Sequence, residues 1–361
     1  MLKYMLIFAT SLAVATATVP WLKRLAFRAG FVDRPDARKI HAKPVPLLGG
    51  VAIYCGFMAA LMLFDRFYIP QFVGMLVGAT IVSFLGLWDD RRPLRPALKF
   101  AGQVLAASVP VMSGIQVHFL HHPLLDLLVT FLWVIGITNA VNLLDNMDGL
   151  SGGIATIASV FFFLLAVLNG QYLVASLTAA LVGACFGFLY FNLNPANIFM
   201  GDSGSLFIGF ILAMVGIKLR FPNSTDLITW MVPVIVLGLP IFDTALVVIS
   251  RLRRHLNPFS SPGQDHISHR LVAGGKTRLE AVLILYLVGT GLGAIGMFIM
   301  QADLREAYLT GGLLVASAVY ALWVLEWAGK GAGSRRGGSG ARARGTRSKN
   351  TEIHPETPTI V

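Results

Sequence analysis

The chain has 361 residues and only 18 Asp and Glu, so the positions of the acids are informative. Six aspartates fall in four short polar stretches: Asp89 and Asp90 in LWDDRRPL, Asp145 and Asp148 in NAVNLLDNMDGLSGG, Asp202 in NPANIFMGDSGSL, and Asp265 in GQDHISHRL. Carboxylates gathered beside an apolar core carry a desolvation penalty that calls for a partner or a task. The partner that Asp oxygens suit best is a hard divalent cation, Mg²⁺ first and Mn²⁺ as the alternative, which usually brings phosphates with it. Asp89 and Asp90 are adjacent where a helix ends, so their side chains point about 100° apart and can serve different atoms. The plain alternative is a set of solvated loop charges. For one Asp it would suffice, but four such stretches on one face argue against it.

The polar residues around these acids sharpen the chemistry. Asn139 and Asn142 share a helix face, with Asp145 one step further along. By Asp148 the stripe has drifted around the cylinder, so the backbone must turn near Asn146 and Gly149, residues that accept left-handed geometry. After Asn192, Pro195 stops a helix, and Gly201 and Gly204 allow a ligand to approach the backbone closely. Ser203 and Ser205 stand where the next helix starts, a place whose free N–H groups suit an anion. Phe199 is placed to stack on a nucleobase or to anchor in the bilayer interface. His266, His269 and Arg270 lie in the longest inner loop and suit a pyrophosphate better than a metal, because no third strong ligand accompanies the two imidazoles. His118, His121 and His122 lie away from every acidic stretch.

These residues need a frame, and the composition supplies it. The chain is 55% hydrophobic and 13% charged, with a mean hydropathy of +0.70, too little charge to cover a soluble protein of this size. Apolar runs at about 4–22, 47–64, 70–88, 97–114, 124–142, 150–168, 172–191, 204–217, 227–249, 281–300 and 308–327 are close to the length that crosses a bilayer. They do not alternate as barrel strands would, so they read as helices. The expected fold is an all-α polytopic membrane helix bundle of about 11 transmembrane helices. With the N-terminus outside and the C-terminus cytoplasmic, every Lys and Arg except Lys3, Arg66, Lys218, Arg220 and Arg305 falls on the inner side. The four acidic stretches then share that side. The net charge of +11 is accounted for by basic inner loops meeting anionic lipid, with no nucleic acid. The charges flanking the first run are the reverse of a signal peptide's, so it reads as an uncleaved helix. Cys55 and Cys185 lie inside apolar runs and imply no disulfide. Residues 1–328 form the expected transmembrane domain, and the Gly/Ser/Arg-rich residues 329–361 a disordered basic cytoplasmic tail. A secondary transporter is the rival class, but its ion site would lie near the midplane on broken helices.

Five segments occur in order across residues 39–271: Lys43-Pro-Val-Pro-Leu-Leu-Gly49-Gly50, Asp89-Asp90, Asn139 to Gly153, Asn192 to Leu206, and His266-Ile-Ser-His269-Arg270-Leu271. Together they resemble the polyprenyl-phosphate N-acetylhexosamine-1-phosphate transferase family, and its N-acetylglucosamine branch more than its muramoyl-pentapeptide branch. The resemblance implies transfer of an N-acetylhexosamine-1-phosphate, GlcNAc-1-phosphate first, from a UDP-sugar to undecaprenyl phosphate at the cytoplasmic membrane, releasing UMP and starting an envelope polysaccharide. Phospho-MurNAc-pentapeptide or another UDP-N-acetylhexosamine is the alternative donor, and a homodimer is compatible. It implies Asp202 and Asp145 as Mg²⁺ ligands, and Asp89 and Asp90 on the lipid phosphate, one of them as base. Asn139, Asn142, Asp148 and Phe199 would hold the nucleotide and its phosphates. Lys43 and Asn192 would line the same pocket, and His266, His269 and Arg270 would contact the pyrophosphate or the sugar. The chain departs from the family pattern at Asn146, where Gly is common, and at Ser268, where a third His is usual.

Overall fold

The computed structural model describes residues 1–33, 44–64, 69–222, 224–257, 263 and 265–328. Lys43 and the segment 329–361 lie outside them. Every apolar run of the sequence is helical. The helices are α1 (Leu2–Ala29), α2 (Gly49–Phe64), α3 (Pro70–Arg91), α4 (Pro96–Met112), α5 (Pro123–Leu144), α6 (Leu150–Leu168) and α7 (Tyr172–Asn192). They continue with α8 (Gly201–Lys218), α9 (Asp226–Thr229), α10 (Met231–Val236), α11 (Gly238–Arg253), α12 (Ile267–Ala273), α13 (Arg278–Gln301) and α14 (Leu304–Trp323). Eight of them are long and apolar enough to cross a membrane, and nine spans result if the bent pair α9–α10 and α11 counts as one. The helix α2 is apolar but shorter. The protein is therefore an all-α, multi-pass membrane protein. A two-residue ribbon joins β1 (Val32–Asp33) to β2 (Val45–Pro46).

Residues 1–318 form one compact unit; the last residues of α14 and a π-helical turn, Val324–Ala328, belong to a second. In the first unit α8 is the centre, with 83% of its spanning window buried against 28% for α1. It packs against α2, α3, α5 and α6, while α1 packs against α2 and α7. Hydrocarbon gives no hydrophobic drive between helices, so close backbone approach over small residues does more of the work. Two approaches decide where the polar residues meet. A Cβ on Gly50 of α2 would lie 2.2 Å from the backbone N of Gly204, and one on Gly86 of α3 would lie 2.4 Å from the carbonyl carbon of Asp202. Both pull the start of α8 into its neighbours. The 74° bend before α11 has a local cause: Pro240 has no N–H for the carbonyl of Val236, and its ring disfavours a straight continuation.

Cys55 and Cys185 are free thiols on α2 and α7.

Candidate functional site

The polar residues meet at the ends of α3, α5 and α7 and the beginnings of α4, α6 and α8. At the C-terminal end of α3 the paired aspartates part company. Asp90 accepts the backbone N–H of Asp202 at 2.8 Å and of Ser203 at 3.1 Å. It thereby caps the N-terminus of α8, where free N–H groups and the helix dipole favour a negative charge. The anion expected at this helix start is therefore the protein's own carboxylate. Gly201, with φ 67°, makes the cap possible, since a Cβ there would lie 2.5 Å from an Asp90 oxygen. The close approach expected of a ligand at Gly201 and Gly204 is likewise taken up by Asp90 and by α2.

Asp89 turns the other way. Its Oδ1 accepts the N–H of Leu94 at 2.6 Å, and its Oδ2 lies 3.0 Å from Lys99 Nζ. The same ammonium forms a short ion pair with Asp202 Oδ2. Asp202 Oδ1 accepts from Asn142 Nδ2 at 2.8 Å, and that amide also reaches Ser205 Oγ at 2.8 Å. Lys99 was not among the residues expected here. One signal was available: it is a lone cation one turn into an otherwise apolar helix, where a charge needs a partner. Asn139, one turn from Asn142, faces Gln103 of α4 instead, in a reciprocal amide pair of 2.7 and 3.1 Å. Asn139 thus sets α5 against α4 rather than touching the carboxylates.

Asp145, the residue that ends α5, has no hydrogen-bond donor to its carboxyl among the described residues. Burial pushes its pKa up to about 8, and the neighbouring charges of Asp202, Asp90 and Asp148 add to the shift. A second cation beside Asp202 would relieve that repulsion. Among the described residues no group of three His, Cys, Asp or Glu side chains converges as a ready-made metal cage. The donor set still fits Mg²⁺, which is commonly held by one or two carboxylates plus substrate phosphates.

The turn from Asp145 to Gly149 is clamped on several sides. Gly149 is left-handed at φ 76°. Its N–H donates to Asn192 Oδ1 at 3.0 Å, and its carbonyl accepts from Tyr286 Oη of α13 at 2.5 Å. Asn192 also donates to the carbonyl of Ile198 at 2.8 Å, so this buried residue ties two site segments together. Asp148 Oδ2 accepts from Asn194 Nδ2 at 3.0 Å and from Ala196 N–H at 3.1 Å, a second tie between the same segments. Asn146 is not left-handed. Its amide donates to the carbonyl of Leu143 at 3.0 Å and accepts from Ser268 Oγ at 2.5 Å. The two residues that depart from the family pattern are thus bonded to each other. Phe199 is half-buried, and its backbone bonds Pro46 and Gly49, each at 2.9 Å.

The helix α12 docks on that turn. His266 Nδ1 lies 2.7 Å from Oδ2 of Asp243, which is fully buried on α11, and Ile267 N–H donates to Oδ1 at 2.8 Å. Arg270 donates to the carbonyl of Asp265 at 2.8 Å and to Ser250 Oγ at 3.0 Å. Burial, with nearby His266 adding, lowers the pKa of His269 and favours its neutral ring.

The arrangement defines a multi-pass membrane protein whose carboxylate, amide and ammonium groups converge on one set of helix ends. Comparison with known proteins specifies it further. The family model described as glycosyl transferase family 4 matches residues 72–220, which run from the first turn of α3 to just past the end of α8. A relative in Bacillus subtilis (strain 168), named "Probable undecaprenyl-phosphate N-acetylglucosaminyl 1-phosphate transferase", is 36% identical over 298 residues, covering 80% of this chain and 83% of the relative. A decaprenyl-phosphate N-acetylglucosaminephosphotransferase of Mycobacterium tuberculosis (strain ATCC 25618 / H37Rv) is 33% identical, covering 83% of each chain. An undecaprenyl-phosphate alpha-N-acetylglucosaminyl 1-phosphate transferase of Escherichia coli (strain K12) is 27% identical, covering 76% of this chain and 78% of the relative. The chain belongs to this transferase family, in the branch of polyprenyl-phosphate N-acetylglucosamine-1-phosphate transferases.

Proposed function

We propose that this protein transfers GlcNAc-1-phosphate from UDP-GlcNAc to undecaprenyl phosphate, releasing UMP, on the inner face of the cytoplasmic membrane. The observation that carries the reading is the proximity of Asp202 to a half-buried Asp145 that has no donor among the described residues. Such a site is short of positive charge until a cation enters with a diphosphate. The names of the relatives point to the sugar and the acceptor.

In this reading Asp202 and Asp145 hold Mg²⁺, or Mn²⁺ in its place. The ion supplies charge neutralisation on the donor diphosphate and the departing UMP. Asn142 fixes one oxygen of Asp202 and thereby the direction of the other. Asp89 faces the acceptor side. Asp90, with both oxygens on the backbone of α8, positions Asp202 rather than taking a proton. A lipid phosphate oxygen attacks the phosphorus that bears the sugar, and the bond to UMP breaks in line, without a covalent enzyme intermediate. Phe199 stacks on uracil, and Lys43, outside the described residues, contributes its charge to donor binding. His266, His269 and Arg270, docked beside the Asp145 turn, contact the diphosphate or the sugar. Eleven crossings, counting α2, α4 and the bent pair as spans, put the N-terminus outside, the C-terminus in the cytoplasm and the carboxylates among the Lys- and Arg-rich inner loops.

The test is UMP release by the purified protein with Mg²⁺, undecaprenyl or decaprenyl phosphate, and a panel of UDP-GlcNAc, UDP-GalNAc and UDP-MurNAc-pentapeptide. UDP-GlcNAc should be the best donor, and Asp202→Asn should lower turnover by about 100-fold or more. No UMP from any donor would overturn the proposal.

A further inference from the structure

Lys99 occupies the position on which the carboxylates converge. It stands one turn into α4, and its ammonium lies between Asp89 Oδ2 at 3.0 Å and Asp202 Oδ2. The other oxygen of Asp202 accepts one hydrogen bond from Asn142 at 2.8 Å, which fixes the orientation of the carboxylate. A second cation on either oxygen of Asp202 comes close to the ammonium held on Oδ2. Two cations within about 4 Å of one another repel strongly in a partly buried setting. The helix itself is not free to withdraw, because Gln103, one turn along α4, is locked to Asn139 of α5 in both directions. Only the lysine side chain, a flexible four-carbon stem carrying a compact charge, can move.

We propose that Lys99 is an internal counter-ion which a divalent cation displaces from Asp202 only when a nucleoside diphosphate accompanies it. The proposal rests on the metal reading given above. A bare cation gains Asp202 at the expense of the Lys99 ion pair and leaves an ammonium beside the incoming charge. A cation carried on a diphosphate brings the negative charge that satisfies both: phosphate oxygens complete the shell of the ion, and the released ammonium turns to a phosphate oxygen or remains on Asp89. Lys99 then enforces entry of the metal together with the nucleotide rather than ahead of it.

The experiment measures Mn²⁺ binding to the full chain in nanodiscs by loss of the free-ion EPR signal, with and without UDP, for the wild type, Lys99→Gln and Asp202→Asn. Without UDP, Lys99→Gln should bind Mn²⁺ about tenfold more tightly than the wild type, although its turnover falls. UDP should tighten Mn²⁺ binding to the wild type about tenfold and to Lys99→Gln far less. Equal affinities without UDP, or equal tightening by UDP, would overturn the exchange. The metal reading fails separately, if Asp202→Asn binds Mn²⁺ with UDP as tightly as the wild type. Thermal melting covers a poorly folding variant. Mn²⁺ alone should raise the Tm of Lys99→Gln more than that of the wild type, and equal shifts count against the proposal.

Discussion

Asp202 and Asp145 have the same side chain and opposite surroundings. Asp202 has an ammonium and an amide on its oxygens, whereas Asp145 faces other carboxylates and has a pKa raised to about 8. For Asp145 the sign is the reverse of the usual buried-and-paired carboxylate. Its folded pKa lies above the unfolded value of about 4, so the folded state holds the proton longer. The contribution to stability is therefore complete below about pH 4 and is lost as the pH rises towards 8. A cation beside Asp145 has to displace that proton. Mg²⁺ or Mn²⁺ affinity in the presence of UDP should accordingly rise steeply between pH 6 and 8, approaching tenfold per unit if one proton is released. Asp145→Asn should flatten the profile, which calorimetry in two buffers of different ionisation enthalpy would check. Such distinctions were only partly legible in the sequence. The stretches around Asp89, Asp145 and Asp202 identify the carboxylates, but the roles of Asp90 and Lys99 depend on how α3, α4 and α8 are rotated. Partners more than 100 residues apart leave no local pattern.

Between elements, the turn from Asp145 to Gly149 is held by groups from α7, α12 and α13. The Ser268–Asn146 bond joins α12 to that turn, and the Asp243–His266 contact joins α12 to α11. Loss of either hydroxyl or amide from the first pair should misplace the whole loop. Ser268→Ala and Asn146→Ala should each raise the KM for the UDP-sugar several-fold, and the double variant should be little worse than either single one. That non-additivity corresponds to a coupling of about 1 kcal/mol. Tyr286→Phe removes the hydroxyl from the Gly149 carbonyl. It should destabilise the protein by about 1 kcal/mol in a thermal melt and lower turnover, because the carbonyl keeps only the N–H of Gly153 and the turn loses its tie to α13. The sequence marked Asn146 and Ser268 as departures from a family pattern, but it placed Asn146 among the left-handed turn residues. The structure assigns the left-handed position to Gly149 alone and engages the Asn146 side chain with Ser268. Tyr286 went unnoticed, since one tyrosine in an apolar run is ordinary membrane composition.

The membrane character of the whole molecule was plain from composition, because apolar runs of bilayer length recur along the chain and every one is a helix. Their approximate boundaries followed from the interruptions, such as Pro195 after α7, but among the described residues eight or nine, against the eleven expected, are long and apolar enough to cross. What hydropathy does not carry is which helix lies inside. The run at 204–217 is the shortest of the apolar runs, yet it becomes α8, the most enclosed of the candidate spans. The proposed orientation has a direct check. In a protein with Cys55 and Cys185 replaced by Ala, a cysteine at Ser224 should react with an impermeant maleimide added to intact cells, and one at Arg253 only in inverted vesicles. The reverse pattern would invert the topology. The packing at the start of α8 has a further consequence for anyone scanning this protein by saturation mutagenesis. Positions 50, 86, 201 and 204 have no functional groups, yet any side chain there collides with backbone or with Asp90. They should form a band of intolerance as deep as that of the aspartates. An activity screen by itself would count these glycines among the reacting groups, and only a parallel readout of folded protein would separate the two sets.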